Sequence, residues 1–166
     1  MSRTNSSLLK KAVGIIKKGG LVVFPTDTVY GIGCDPFNEE AVERLFHVKK
    51  RDKNKAIPIL VNSPEKAEEI AEFGPLARKI ARQHWPGALT LVLPAKAIAP
   101  PTLLGQGNTV GVRMPNHPLA LSLIERVGGY LTGTSANLSG KEPALTAEGS
   151  RKQLGSKVDL ILDAGR

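Results

Sequence analysis

Cysteine is almost missing from this sequence. The one thiol, Cys34, has no partner for an internal disulfide, and with histidines scattered at His47, His84 and His117 it forms no zinc-binding spacing. A disulfide framework and a structural zinc module are thereby excluded, and a reducing compartment fits. Aromatic residues make up only 4% of the chain, too few for the stacking platforms on which single-stranded nucleic acids are bound. Long apolar runs are absent as well. Met1-Ser2-Arg3-Thr4-Asn5-Ser6-Ser7 holds no apolar signal-peptide core, and no later run is long enough to cross a bilayer, so a cytoplasmic protein with no membrane partner is expected. The G-x-x-x-x-G-K-[ST] phosphate loop and the G-x-S-x-G hydrolase elbow do not occur, and Gly105-Gln106-Gly107 lacks the strand and spacing of a dinucleotide fingerprint.

What the chain has in surplus is positive charge: 23 Lys and Arg against 15 Asp and Glu, a formal net charge of +8. Such a surface favours phosphates, nucleic acid or other anions without choosing among them. The 166 residues, 41% hydrophobic and 23% charged, suit a single domain over residues 1–166 with one sizeable core. Leu8, Leu9, Ala12, Val13 and Ile16 recur at helical spacing, and Gly19-Gly20 ends that pattern before the apolar strand Leu21-Val22-Val23-Phe24. Asn38 caps a helix whose inner face is Ala41, Val42, Leu45 and Phe46. Strands are predicted at 57–61, 89–93, 109–114, 130–132 and 160–162, and helices after Ser63, Gly74, His117 and Thr146. The alternation argues for an α/β fold, a twisted open mixed sheet flanked by helices.

Three stretches carry candidate chemistry. Lys49-Lys50-Arg51-Asp52-Lys53-Asn54-Lys55 places five cations among seven residues. If the run is extended, Lys49, Arg51 and Lys55 share one side, where a single anion could meet all three. Gly133-Thr134-Ser135-Ala136-Asn137 is a small polar turn whose hydroxyl, amide and backbone N–H groups could form an anion nest. Phe24-Pro25-Thr26-Asp27-Thr28-Val29-Tyr30-Gly31 puts hydroxyls on the loop after a buried strand. Each has an ordinary reading too: charge runs are usually solvated surface, and Ser, Asn and Gly are common turn residues. Arg113, at a strand end, could neutralise a carboxylate or simply form a structural ion pair, and His117 reads as a helix-start residue rather than a base.

Taken together, five motifs in order resemble the YrdC family, the threonylcarbamoyl-AMP synthases. They are Pro25-Thr26-Asp27-Thr28-Val29-Tyr30-Gly31, the K-x-R of Lys49 and Arg51, His84-Trp85-Pro86-Gly87-Ala88-Leu89-Thr90, Gly111-Val112-Arg113-Met114-Pro115, and Thr134-Ser135-Ala136-Asn137-Leu138-Ser139-Gly140. The resemblance implies a YrdC-like domain with a basic cleft, and synthesis of L-threonylcarbamoyladenylate and pyrophosphate from L-threonine, bicarbonate and ATP. By the same route Lys49, Arg51, Ser135 and Asn137 would be catalytic, and Thr28, Arg113 and Gly133 would hold threonine. Arg51, Lys55, Thr109 and Ser135 would contact the nucleotide. No residue is assigned to a metal; Mg2+ would accompany ATP. The product would serve threonylcarbamoyladenosine modification of tRNA through a separate tRNA threonylcarbamoyl transferase complex. The alternative is a YrdC-like module that binds tRNA or double-stranded RNA without synthase activity. Two departures stand out: Leu60 occupies the place of a threonine-binding histidine of some longer relatives, and the family's later S-T-[VI] motif is not in this sequence.

Overall fold

The helix signals are realised at the residues that carry them. The computed structural model describes residues 3–164, beginning with α1 (Arg3–Lys17), which buries Leu9, Ala12 and Ile16. Gly19 follows with φ +85°, a backbone that side chains avoid, and turns the chain into β1 (Val22–Phe24) and then β2 (Gly31–Gly33). Asn38 accepts the Ala41 N–H at 3.0 Å and starts α2 (Glu39–Lys49), with Glu39 and Glu40 in its first turn. After β3 (Ile59–Val61), Ser63 caps α3 (Pro64–Ile70) at 3.2 Å with Pro64 in its first turn. Next come α4 (Pro75–His84), β4 (Leu91–Pro94), β5 (Thr109–Arg113) and α5 (Pro118–Arg126). β6 (Tyr130–Thr132), β7 (Thr134–Ser135), α6 (Ala147–Leu154) and β8 (Leu160–Ile161) complete the order.

The strands divide between two four-stranded mixed sheets, ordered β7-β2-β1-β8 and β4-β5-β3-β6, where the alternation of elements read as one. In the first sheet β1 runs antiparallel to β2 and parallel to β8. In the second, β3 lies parallel to β5 and antiparallel to β6. The sheets meet where β2 ends against β6: Cys34 donates its N–H to Thr132 Oγ1 at 2.8 Å, and Thr132 donates to the Cys34 carbonyl at 3.0 Å. Burial pushes the Cys34 thiol up to about 12, so it stays a protonated core group.

A cluster including Ile32, Leu45, Ile59 and Val112 packs α2 and parts of both sheets, while Leu9, Ile16, Phe24, Leu60, Leu123 and Leu131 join α1 and α5 beneath them. Asp159, just before β8, accepts the Leu21 N–H at 2.8 Å and receives both arms of Arg44 at 2.5 and 3.2 Å, tying the last strand to α2 and β1. Among the described residues no helix is long and apolar enough to cross a membrane.

Candidate active site

Gly133 is the single residue between β6 and β7, so the chain steps from one sheet to the other across it. Beside this step opens a small pocket of about 70 Å³. The first sheet lends it Gly31 and Ser135, the second Leu60 and Arg113, and the loop after β1 lends Thr26 and Thr28. A Cβ on Gly133 would lie 2.4 to 2.8 Å from the Leu60 side-chain carbons, and Leu60 is buried. Gly133→Ala is therefore expected to cost about 1–3 kcal/mol through overpacking and to fill part of the pocket, seen as a lower denaturation midpoint together with weaker ligand binding. An unchanged midpoint would show that Leu60 can move aside.

Arg113 is held from three directions. Its Nε donates to the Gly87 carbonyl at 2.9 Å, Nη1 to Thr28 Oγ1 at 3.2 Å and Nη2 to Asp27 Oδ1 at 2.6 Å. The Arg113 and Asp27 side chains are 13% and 17% exposed, so little water screens the pair. Thr28 is steadied in turn by Thr26, whose hydroxyl lies 3.1 Å from the Thr28 hydroxyl and donates to the Val29 carbonyl at 2.6 Å. Guanidinium has five N–H donors; three are engaged in this frame, and Arg113 lines the pocket. The stretch from His84 to Thr90 thus gains a physical role. Gly87 donates to Met114 at 2.8 Å and receives Arg113, and Trp85 Nε1 pins Leu89 at 2.8 Å. Sequence reasoning singled out neither Asp27 nor Gly87 as site residues. An acid between two threonines on a post-strand loop was a usable signal for Asp27; a backbone carbonyl leaves none.

The cationic run behaves differently from an extended strand. Lys49 closes α2, Lys50 adopts the left-handed backbone (φ 51°, ψ 41°), and the chain turns sharply between Lys49 and Arg51. Lys49 is buried, its ammonium donating to the Ser135 carbonyl, while its own carbonyl accepts the Ser139 N–H at 2.9 Å. Burial, and after it the nearby Arg51 charge, push the Lys49 ammonium down to about 8. Asn137 is also buried; its amide donates to the carbonyls of Leu138 at 2.9 Å and Lys141 at 2.8 Å. Its Oδ1 is enclosed with no hydrogen-bond partner among the described residues. Lys49, Ser135 and Asn137 are thus brought together, the Ser135 carbonyl receiving the Asn137 N–H at 2.9 Å as well.

Arg51 instead folds over its own loop, donating to the carbonyls of Lys55 at 3.3 Å and Ala56 at 2.8 Å, and Lys55 is exposed. Thr109 donates to the Gln106 carbonyl at 2.9 Å; it and Ala56 both flank Gly105. Arg51 borders a wide concavity of about 890 Å³ along α2, shared with Glu43, Arg44, Lys50 and Lys53, whereas Ser135, Thr28, Arg113 and Gly133 line the small pocket. The cationic run thus touches the polar turn through Lys49, while these two hollows are lined by different described residues. His117 caps α5, its Nδ1 accepting the Leu119 N–H at 3.2 Å, as a helix-start residue should.

The geometry is that of a mixed α/β domain in which an arginine is fixed beside hydroxyls at the seam between two sheets. The Sua5, YciO and YrdC family model, described as telomere recombination, matches residues 14–166, and the chain belongs to that family. The threonylcarbamoyl-AMP synthase of Pyrococcus abyssi is 40% identical over 158 residues, covering 95% of this chain and 46% of that protein. A putative threonylcarbamoyl-AMP synthase of Mycobacterium tuberculosis is 45% identical over 159 residues, covering 93% of this chain and 71% of that one. The structure of Pyrococcus abyssi Sua5 complexed with L-threonine superposes with a TM-score of 0.91 at 40% identity, covering 95% of this chain and 47% of that chain. The chain thus spans about half the length of the Pyrococcus relative and more of the mycobacterial one.

Proposed function

We propose that this chain, acting as one domain over residues 1–166, is a nucleotidyltransferase that forms L-threonylcarbamoyladenylate and pyrophosphate from L-threonine, bicarbonate and ATP. The observation that carries the reading is Arg113, anchored by Asp27, Thr28 and Gly87 and facing a pocket of about 70 Å³. The amino acid's carboxylate pairs with Arg113, and the Thr28 and Ser135 hydroxyls and the Gly133 backbone complete its surroundings. Carboxylation of the amine yields a carbamate, which survives only where water is kept out, and its oxygen attacks the α-phosphate of ATP to expel pyrophosphate. Lys49 and Arg51 supply positive charge as negative charge builds on the phosphoryl group, with Lys55 and Thr109 on the nucleotide side and Asn137 holding the loop after Ser135.

Magnesium in this reading travels with the triphosphate, whose oxygens are its ligands. The product then serves tRNA modification in the cytoplasm through a separate transferase complex. Pyrophosphate release is expected only with threonine, bicarbonate and ATP together. Release that continues at the same rate when either threonine or bicarbonate is withheld would overturn the proposal.

A further inference from the structure

We infer that the pocket takes the ammonium proton from the bound amino acid and presents a neutral amine for carboxylation. This deepens the reading above and rests on it. An amine carrying a fourth bond to hydrogen has no lone pair, so the amino acid, a zwitterion in water at neutral pH, must lose a proton before its nitrogen can join a carbon. Among the described residues the pocket's walls present one ionised side chain, Arg113, and no carboxylate. Its polar lining is otherwise neutral, from Thr28, Thr90 and Ser135 among others. Asp27, behind the pocket wall, is committed to Arg113 at 2.6 Å.

The charges behind these walls point the same way. On the α2 side the Lys49 ammonium sits directly behind Ser135, with Arg51 beyond it. On the α5 side His117 feels the Asp27 charge; burial lowers its imidazole below its ordinary value, and its Nδ1 accepts a backbone N–H. An ammonium placed here is desolvated, lies near cations and meets no carboxylate in the lining, and all three conditions favour the neutral amine. Once the substrate carboxylate has joined Arg113, the neutral amine adds no further charge to the site.

The proton balance is explicit. The ammonium gives an amine and one proton, which passes to the buffer. The nitrogen lone pair then forms the N–C bond to carbon dioxide, itself released from bicarbonate with hydroxide, and a second N–H proton leaves as the carbamate forms. The mechanism requires no dedicated basic side chain touching the nitrogen, because the equilibrium is shifted by the surroundings.

Titration calorimetry of the full chain with L-threonine at pH 7, in buffers of differing ionisation enthalpy, counts the protons released on binding. About one proton per threonine is expected. Thr90→Asp, which adds a carboxylate to the pocket wall, should hold the ammonium and cut the release below about 0.3 proton while slowing pyrophosphate formation about tenfold. Thr90→Asn adds similar bulk without charge and should retain the release. Threonine binding without proton release, or equal release from both Thr90 variants, overturns the inference while leaving the proposed function standing. No threonine binding at all removes the proposed function and the inference with it.

Discussion

Replacing Arg113 by alanine is expected to lower kcat/KM for threonine about 1000-fold, because truncating one side of a desolvated charge pair also leaves the other side uncompensated. That other side is Asp27, whose 2.6 Å partner disappears. The carboxylate then repels the substrate carboxylate that Arg113 would have received. Arg113→Lys keeps the charge but not the planar fork that reaches Gly87, Thr28 and Asp27 together, so it should recover little. Initial rates of pyrophosphate release against threonine concentration test this. A loss smaller than tenfold in the alanine variant would mean that Arg113 is a structural ion pair and that the carboxylate is bound elsewhere.

Lys49→Met should separate activity from stability. At pH 7 the buried ammonium, whose value of about 8 compares with an ordinary 10.5, costs the folded state on the order of 3 kcal/mol. The sign follows from which state holds the proton. Between about 8 and 10.5 the unfolded chain is protonated while the folded chain is not, so stability rises with pH across that window. Methionine removes the cost, and the Ser135 carbonyl keeps the Asn137 N–H as its donor. The variant is expected to be at least as stable as the parent at pH 7, to lose the rise in stability towards alkaline pH, and to lose about 100-fold or more in turnover. Chemical denaturation at several pH values and the pyrophosphate assay measure the two halves. A variant that is both destabilised and fully active would make Lys49 an internal strut with no part in the chemistry.

Much of this was open to reading from residue types. Asn38, Ser63 and Thr146 cap the helices they were expected to cap, because a short polar side chain before an apolar periodic stretch has few other uses. Thr28, Arg113, Gly133 and Ser135, named from motifs spread over more than a hundred positions, meet at one pocket. The turn at Lys50 was not legible. A lysine at φ 51° carries no mark in the sequence. Without it, Lys49 and Arg51 read as neighbours on one side, when in fact one is buried against Ser135 and the other bridges its own loop. The division into two sheets was hidden for a related reason: β7 is two residues long, and β7 and β8 pair with strands far away in the chain, so which strands are partners leaves no periodic signal. Backbone carbonyls such as Gly87 O are offered by every residue, so their part in fixing Arg113 appears only in three dimensions.

The contact between Leu60 and Gly133 also constrains the order in which this domain can change. Because position 133 both bridges the two sheets and rests on Leu60, any side chain there meets an immediate steric conflict. A smaller residue at position 60 must come first to make room. A lineage or an engineer seeking a roomier chamber for a bulkier amino acid therefore has to begin beneath the crossing.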